Sequence, residues 1–295
     1  MANDSTQNIG ANDDELSAYF AGTRIYGDDF SAEDIAAWYR DEQHAYYDIA
    51  TATRPTGFYD YHALNQAHGF GYLPSGCLGK VLSFGGANGE EVRPIAARAA
   101  SIVIVEPADY DVRTLDGTAV EYRKPAASGV LPARDGEFDV AICLGALHHI
   151  PNVTFVIQEI ARVVRDDGIA LIREPVVSMG DWRRPRPGLT RRERGLPATL
   201  FESALRHAGF EVIRCTRCVH PITPRIGRLL HVNWFNSFAL TRLDYALSRI
   251  HPFPTVYHPN KWWQRIQPSA VFYVLRRSKR RHLSQAVDVS GSGSQ

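Results

Sequence analysis

The chain has 295 residues, of which 44% are hydrophobic and 22% charged, and its formal net charge is +1. These proportions are ordinary for a globular protein with a sizeable core, and they exclude a largely disordered chain. No run approaches the roughly 20 apolar residues of a membrane span, the first residues are polar and acidic, and four scattered cysteines make no disulfide framework. We therefore expect a cytoplasmic protein with no transmembrane segment.

Charge is distributed unevenly along the chain. Residues 1–60 are strongly acidic, whereas residues 214–282 contain thirteen Lys and Arg against the single acid Asp244. A basic surface of this kind would suit an anionic acceptor, a phosphate-bearing lipid or a nucleic acid. Alternatively, the two ends of the chain pack near each other and neutralise their charges.

An acidic, helical region precedes the first clear strand. Residues 1–15 have the composition of a flexible leader. Ser31 followed by Asp34 resembles a capping box and opens a stretch whose apolar residues recur at near-helical spacing. A tyrosine-rich segment at 58–62 and a second predicted helix follow. We therefore expect residues 1–77 to form an acidic leader and a helical N-terminal cap.

From residue 79 onward, short β-branched runs alternate with helical stretches, which is typical of a parallel sheet with crossover helices. The predicted strands are 80–84, 101–105, 119–122, 140–144, 169–173, 211–214 and 270–275, and the predicted helices are about 91–100, 153–165 and 198–208. We expect a sheet domain at 78–214 plus 269–277, and a basic, then flexible, tail at 278–295. The aromatic and basic insertion at 215–268 is too long for a plain loop, so it should have structure of its own.

A glycine-rich turn joins the first predicted strand to the helix after it. Gly85, Gly86 and Gly89 would let a ligand approach the backbone, and amides at the helix start can bind a carboxylate or phosphate. Glu106 ends the next strand, where a carboxylate can accept hydrogen bonds from both hydroxyls of a ribose. Strand, turn, helix and acid in this order predict a site for a nucleotide cofactor.

The spacing of the glycines distinguishes between cofactor classes. A dinucleotide fingerprint needs Gly-x-Gly-x-x-Gly, but counting from Gly85 puts Ala87 at its second glycine and Glu90 at its third. A charged residue at that third position would obstruct helix packing and repel a pyrophosphate. The segment instead matches Gly-x-Gly-x-Gly with alanine in the middle, so NAD is disfavoured.

This segment resembles motif I of the class I S-adenosylmethionine-dependent methyltransferases. Further family signals follow in the right order: FDVAI at 138–142, LHHIPN at 147–152, RDDG at 165–168 and EP at 174–175. The resemblance extends over residues 79–213 and implies S-adenosylmethionine as the cofactor. It also implies an α/β fold of Rossmann-like type, with a doubly wound, mostly parallel seven-stranded sheet whose last strand is antiparallel. The N-terminal helical cap and an inserted cap region before the last strand would complete it.

The resemblance implies a set of cofactor contacts as well. Glu106 would hold the ribose hydroxyls, and Leu144 and Gly145 would face the amino acid part of the cofactor. The stretch at 126–128 lacks the acid that the family often places near the adenine, so Ser128, a backbone carbonyl or water would bind there. Tyr61 could form part of a lid, or could pack as core between two helices. The full expected set is Gly85, Gly86, Ala87, Asn88, Gly89, Glu106, Pro107, Ala127, Ser128, Leu144, Gly145, Tyr61 and His62.

His148 and His149 are the candidate catalytic residues. They follow the fourth predicted strand, at the edge of an open sheet where ligands bind, and an alcohol acceptor needs a base within hydrogen-bond reach. Adjacent residues do not easily face one substrate, and the alternative is that His149 packs under the sheet while His148 caps the next helix. We expect no metal at Cys215, Cys218 and His220, because residues three apart on a strand face opposite sides and no second pair lies nearby.

Three functions remain open on the sequence. The first is O-methylation of a small molecule that is anionic or contains a sugar, such as an activated sugar or a glycolipid, with the insertion selecting the acceptor or forming a homodimer interface. Six arginines between 183 and 194 could clamp such anions or pair with the acidic N-terminus. Peripheral membrane contact is compatible with this function.

The second function is methylation of nucleic acid, which the basic residues 276–282 favour. It is opposed by the absence of an Asn/Asp-Pro-Pro-Tyr sequence after the fourth strand and of any nucleic-acid module, so there is no strong nucleic-acid signal. The third is a non-catalytic scaffold that binds the cofactor but has lost its acceptor pocket.

Overall fold

A computed structural model describes residues 13–53, 59–182 and 184–279. Its strands are β1 (Lys80–Phe84), β2 (Ser101–Val105), β3 (Thr114–Leu115), β4 (Thr118–Arg123), β5 (Phe138–Leu144), β6 (Val164–Pro175), β7 (Phe210–Cys218) and β8 (Ala270–Arg277). They form one sheet in the order β3-β4-β2-β1-β5-β6-β8-β7. β8 is antiparallel to both of its neighbours, and β1, β2, β4, β5 and β6 pair in parallel. The predicted fold class is confirmed.

The sheet has one strand more than predicted. β3 pairs with β4 through a two-residue turn, Asp116-Gly117, whose residues have φ values of 48° and 86°. Hairpin turns of this length need positive φ at both central residues, and Asp-Gly is a preferred sequence for them. The Asp-Gly dipeptide thus indicates a small hairpin, which the predicted pattern of strands and crossover helices did not include.

In the described ranges the sheet is surrounded by eight α-helices: α1 (Asp13–Ala21), α2 (Ala32–Thr53), α3 (His62–His68), α4 (Arg93–Ala96), α5 (Val153–Val163), α6 (Ala198–His207), α7 (Ile222–Leu229) and α8 (Phe238–Ile250). The prediction of a helix over 91–100 was wrong, since α4 is a single turn. Pro94 fits only the first turn of a helix, so the helix cannot begin much earlier. The backbone N–H of Ala100 already bonds to the carbonyl of Gly79 at 2.8 Å, which draws the chain back toward β2.

The two faces of the sheet carry separate hydrophobic clusters. One is built on α5 and α6, with Ile157 and Phe201 fully buried, and the other on α3 and α4, with Leu64 and Ile95. A third, aromatic cluster joins the N-terminal region to later loops, and Trp38 of α2 is completely buried in it. The Nε1 atom of Trp38 donates to the carbonyl of His149 at 2.8 Å. This packing brings α2 against the end of β5.

The predicted insertion contains α7, α8 and two short 3-10 helices, Trp234–Asn236 and Trp262–Arg265. β7 extends to Cys218, four residues beyond the predicted end of that strand. Asp244 of α8 is completely buried and accepts hydrogen bonds from the backbone N–H groups of Val219 and His220 at 2.9 and 2.7 Å. The domain boundaries stay a prediction. Within the ranges described, no helix is both long and apolar enough to cross a membrane.

Candidate active site

The glycine turn after β1 has a backbone that only small residues tolerate. Gly85 has a φ of 68°, and a Cβ added to it would lie 2.5 Å from the Cβ of Ala146. Ala87 also has positive φ, at 46°, and its carbonyl accepts a hydrogen bond from the Tyr122 hydroxyl at 3.0 Å. The turn therefore presents backbone, and not side chains, at the carboxyl end of the sheet.

The carboxylate of Glu106 lies beside this turn. Its two oxygens accept hydrogen bonds from the backbone N–H groups of Ala87 at 3.2 Å and Ala108 at 3.0 Å, and the side chain is buried. Burial raises the pKa of Glu106, while the two amides oppose that rise. Each oxygen keeps lone-pair capacity, so the carboxylate can accept two further hydrogen bonds, as a ribose with adjacent hydroxyls requires.

Two cavities meet at this edge of the sheet, and Gly85 and Gly145 line both. The larger cavity has a volume of about 520 Å³ and the smaller about 100 Å³. Both residues at the junction are glycines, and Gly145 has a φ of 88°. No side chain therefore stands where the two spaces join, and this arrangement fits a cofactor that extends from one cavity into the other.

The structure distributes the predicted site residues between these cavities. The larger cavity is lined by Tyr61, Gly85, Gly86, Ala87, Asn88, Leu144, Gly145 and His148, and the smaller by Gly85, Glu106, Pro107, Gly145 and His149. Four predicted residues line neither: Gly89, whose Cα faces Leu115 and Ile104, His62, and the exposed Ala127 and Ser128. The carbonyl of Ser128 accepts a hydrogen bond from Asn152 at 2.8 Å, and Pro125 lines the smaller cavity instead.

His148 is held between two glutamates. Its Nδ1 lies 2.7 Å from a carboxylate oxygen of Glu174, and its Nε2 lies 3.4 Å from one of Glu193. Burial alone lowers the pKa of His148, but the two carboxylates outweigh that effect and raise the pKa to about 9. Burial likewise raises the pKa of Glu193, yet the neighbouring histidines lower it to about 2. At neutral pH His148 is therefore a cation that bridges two anions.

His149 points elsewhere. Its Nδ1 lies 2.8 Å from a carboxylate oxygen of Glu42, which also accepts the hydroxyl of Thr190 at 2.8 Å. One ligand atom each from His148, His149 and Glu193 falls within 4.8 Å of the others. No local sequence pattern indicates this grouping, because Glu193 comes from the loop after β6, far along the chain from the two histidines.

Most of the site residues that the sequence did not predict are charged side chains on the wall of the larger cavity. Ser83 stands where the family commonly has an acid, and its hydroxyl donates to Glu91 at 2.7 Å. Burial raises the pKa of Glu91 to about 8. The acid that the strand lacks is thus supplied from the turn. The other residues that were missed are Arg173 and Glu193, together with Glu174, whose motif was noted without a role.

Two arginines of the loop after β6 bond to other parts of the protein. Arg194 is completely buried and donates to the carbonyls of Tyr26 and His148, each at 2.9 Å. Arg192 pairs with Asp41 of α2 at 2.7 Å. Arg183 lies outside the described residues. These contacts favour the alternative in which the loop pairs with the N-terminal region over the one in which it clamps an anionic ligand.

Comparison with known proteins agrees with this geometry. A family model described as a methyltransferase domain matches residues 64–214, just over half of the chain. The ubiquinone biosynthesis O-methyltransferase of Nitrosomonas europaea is 30% identical over 99 residues, which are 32% of this chain and 38% of that protein. Its counterpart in Pseudomonas aeruginosa is 30% identical over 95 residues, or 30% and 41% of the two chains. The chain thus matches about two-fifths of these relatives' length.

Among solved structures, the methyltransferase chain of the complex with the Haloferax volcanii Trm112 methyltransferase activator superposes with a TM-score of 0.53. It is 14% identical, and the match covers 82% of this chain and 99% of that one. At this identity the likeness concerns the fold alone. The family model matches more than half of the chain, and the sheet order and the glycine turn agree with it, so the chain belongs to the methyltransferase-domain family.

Proposed function

We propose that the protein transfers the methyl group of S-adenosylmethionine to a hydroxyl group of a small molecule. The bound cofactor supplies an electrophilic methyl group, so the protein has to align the acceptor, remove its proton and exclude water. The observation that carries this proposal is the position of His148, which lies on the wall of the larger cavity together with the glycine turn. An amine acceptor would not need such a group, whereas an alcohol does.

The proton would be accepted at the Nε2 atom of His148. Glu174 holds the opposite ring nitrogen, so Nε2 faces Glu193 at the cavity wall. An acceptor hydroxyl that takes the place of the Glu193 carboxylate removes a charge that holds the His148 pKa high. The pKa of the imidazole then falls, and its Nε2 proton leaves with the displaced Glu193 carboxylate. The neutral ring can then accept the proton of the acceptor hydroxyl at Nε2, and Glu174 stabilises the imidazolium that forms. His149 has no part in this step, because it faces the smaller cavity.

Cofactor binding is assigned to the junction of the two cavities. Glu106 would bind the ribose hydroxyls, and the backbone at Gly85 and Gly86 would lie against the cofactor. Pro107 and Pro125 on the smaller cavity offer apolar surface for the adenine. Ala127 and Ser128, which the sequence predicted near the adenine, do not line this cavity. We therefore assign contact with the adenine to these two prolines instead.

The acceptor is assigned to the remainder of the larger cavity. Val219 and Phe235 from the insertion and Leu189 from the loop after β6 contribute apolar wall there. This supports an acceptor with a ring or apolar portion that carries a hydroxyl, such as a sugar, a glycolipid or another hydroxylated metabolite. The names of the curated relatives also favour O-methylation. Nucleic-acid methylation and a non-catalytic scaffold are the alternatives to be tested.

Peripheral membrane contact is a further part of the proposal. The solvent face of α8 carries Phe238, Leu243 and Ile250, which are 62%, 37% and 72% exposed, beside the exposed residues Arg242 and Arg249. Apolar side chains flanked by arginines suit an anionic lipid surface. For the compartment we retain the cytoplasm, which the four free cysteines support.

The first prediction tests the reaction. Transfer of labelled methyl groups from S-adenosylmethionine should be detected with at least one member of a panel of sugars, nucleotide sugars, glycolipids and phenols, and not with RNA or DNA. His148→Gln should abolish the transfer, because it removes the base, while it leaves the affinity for S-adenosylhomocysteine within about threefold. Transfer only to nucleic acid would support the second function, and cofactor binding without any transfer would support the scaffold.

The second prediction concerns Glu106. Glu106→Gln should weaken binding of S-adenosylhomocysteine about 10- to 100-fold in calorimetry, because hydrogen bonds to a charged acceptor contribute about 1.5–3 kcal/mol. Glu121→Gln is the control, since that exposed carboxylate pairs with Arg123 on β4, away from both cavities. Equal affinities for the two variants would remove Glu106 from the cofactor site.

The third prediction concerns the titration of His148. In the wild-type protein, the proton NMR signal of its ring should titrate near pH 9. Glu193→Gln should move the midpoint to lower pH, because it removes a negative charge that stabilises the imidazolium. The signal is identified by its loss in His148→Gln. A midpoint that does not move would show that Glu193 does not control this group.

The fourth prediction concerns membranes. In cosedimentation the protein should bind vesicles that contain phosphatidylserine more tightly than vesicles of phosphatidylcholine alone. Each of Arg242→Gln and Arg249→Gln should weaken this binding about fivefold, since a basic residue near an anionic surface contributes about 1 kcal/mol. Arg206→Gln on α6 is the matched control. Failure to bind together with a concentration-dependent dimer in sedimentation would assign the α8 face to a homodimer.

A further inference from the structure

Arg173, near the end of β6, is a buried cation without a carboxylate in contact with it. The residue is only 7% exposed. Its Nη1 donates to the side-chain oxygen of Asn65 at 2.6 Å and its Nη2 to the carbonyl of Leu144 at 3.2 Å. The guanidinium also lies over the ring of Tyr61, 4.2 Å from its centre. Within the described part of the chain, no carboxylate oxygen lies within 4.0 Å of its nitrogens.

The nearby acids do not compensate this charge by contact. Glu174, the next residue of the strand, points to the other side and is bound to His148. Burial raises the pKa of Glu91 to about 8, so that group is largely neutral at pH 7. Burying a guanidinium without an anionic partner is unfavourable, and such groups in functional sites commonly await a ligand.

Arg173 has both the donors and the access to bind an anion. A guanidinium carries five N–H groups in a planar fork that matches a carboxylate, and the two hydrogen bonds described use only part of them. The side chain lines the larger cavity, opposite the glycine turn. Beside it, a Cβ added to Gly145 would lie 3.5 Å from Nη2, so the glycine leaves this nitrogen accessible.

The short helix α4 adds a reason for such a group. The sequence predicted that amides at the start of the helix after the glycine turn can bind a carboxylate or phosphate. α4 has only four residues, so its dipole is weak, and the N–H groups of Gly89, Val92 and Arg93 are already bonded to carbonyls within the turn. A carboxylate at this end of the site needs another partner, and Arg173 lies next to Leu144 and Gly145, where the amino acid part is expected.

We propose that Arg173 forms a carboxylate-binding subsite of the larger cavity, and that its ligand is the methionine carboxylate of S-adenosylmethionine. A carboxylate on the acceptor is the other source of the same chemistry. The proposal depends on the cofactor and not on the identity of the acceptor. Asn65 and Tyr61 position the guanidinium, the first through a hydrogen bond and the second through its ring.

The test compares two ligands that differ in one group. S-Adenosylhomocysteine and its decarboxylated analogue, 5′-deoxy-5′-(3-aminopropylthio)adenosine, are titrated into wild-type protein and Arg173→Gln by calorimetry. Wild-type protein should prefer S-adenosylhomocysteine about 10- to 100-fold. Arg173→Gln should lose most of that preference while it binds the decarboxylated analogue within about threefold of wild type. Arg173→Lys should recover part of the preference, because it restores the charge without the fork.

Arg165→Gln is the matched control, since that half-exposed arginine pairs with Asp139 at the other end of the sheet. Thermal unfolding of each variant checks folding, and if Arg173→Gln does not fold, Arg173→Lys is compared with wild type on the two ligands instead. A smaller preference for S-adenosylhomocysteine in Arg173→Lys then supports the proposal, and an unchanged preference overturns it. If wild type shows no preference, benzoate is titrated against benzamide in the presence of S-adenosylhomocysteine. Benzoate binding that Arg173→Gln or Arg173→Lys weakens assigns the subsite to the acceptor. Absence of both effects overturns the proposal, and none of these readouts depends on methyl transfer.

Discussion

The buried carboxylate of Glu174 holds the turn on which both cavities depend. It accepts hydrogen bonds from the backbone N–H groups of Ala146, Leu147 and His148 at 3.0, 2.8 and 3.3 Å, and its side chain is completely buried. From the other side, the guanidinium of Arg194 donates hydrogen bonds to the carbonyls of His148 and Pro151 at 2.9 and 3.2 Å. One charged side chain thus satisfies the donors of the turn and another its acceptors. Neither could be removed without leaving buried polar groups unpaired.

This arrangement explains why two adjacent histidines have separate environments. His148 follows the amides bound to Glu174 and turns toward the larger cavity, whereas His149 is fixed by Glu42 and by the bond from Trp38 to its carbonyl. The 3-10 geometry of 147–149 places their rings 4.1 Å apart but leaves them lining different cavities. The turn therefore separates a titratable group on the wall of the larger cavity from one that anchors α2.

The sequence predicted the fold more completely than the site, for a physical reason. Strands such as β1 and β2 are continuous apolar runs between turn signals, so their bounds could be read residue by residue. The glycine turn and Glu106 could be found because their chemistry depends on local spacing. The contacts of Arg173 and Glu193 depend on long-range packing, with Asn65 and His148 respectively, and no local pattern encodes such pairs.

The departures from the family pattern also concern charge rather than backbone. Where the family commonly has an acid, Ser83 is present, and its hydroxyl donates a hydrogen bond to Glu91 from the turn. The large rise in the Glu91 pKa means that this acid can carry a proton at neutral pH, so it need not add a second negative charge beside Glu106. Arg173 contributes the opposite charge across the larger cavity. The site thus keeps the family's backbone frame and redistributes the charges around it, which is why the frame could be recognised from the sequence while the electrostatics required the structure.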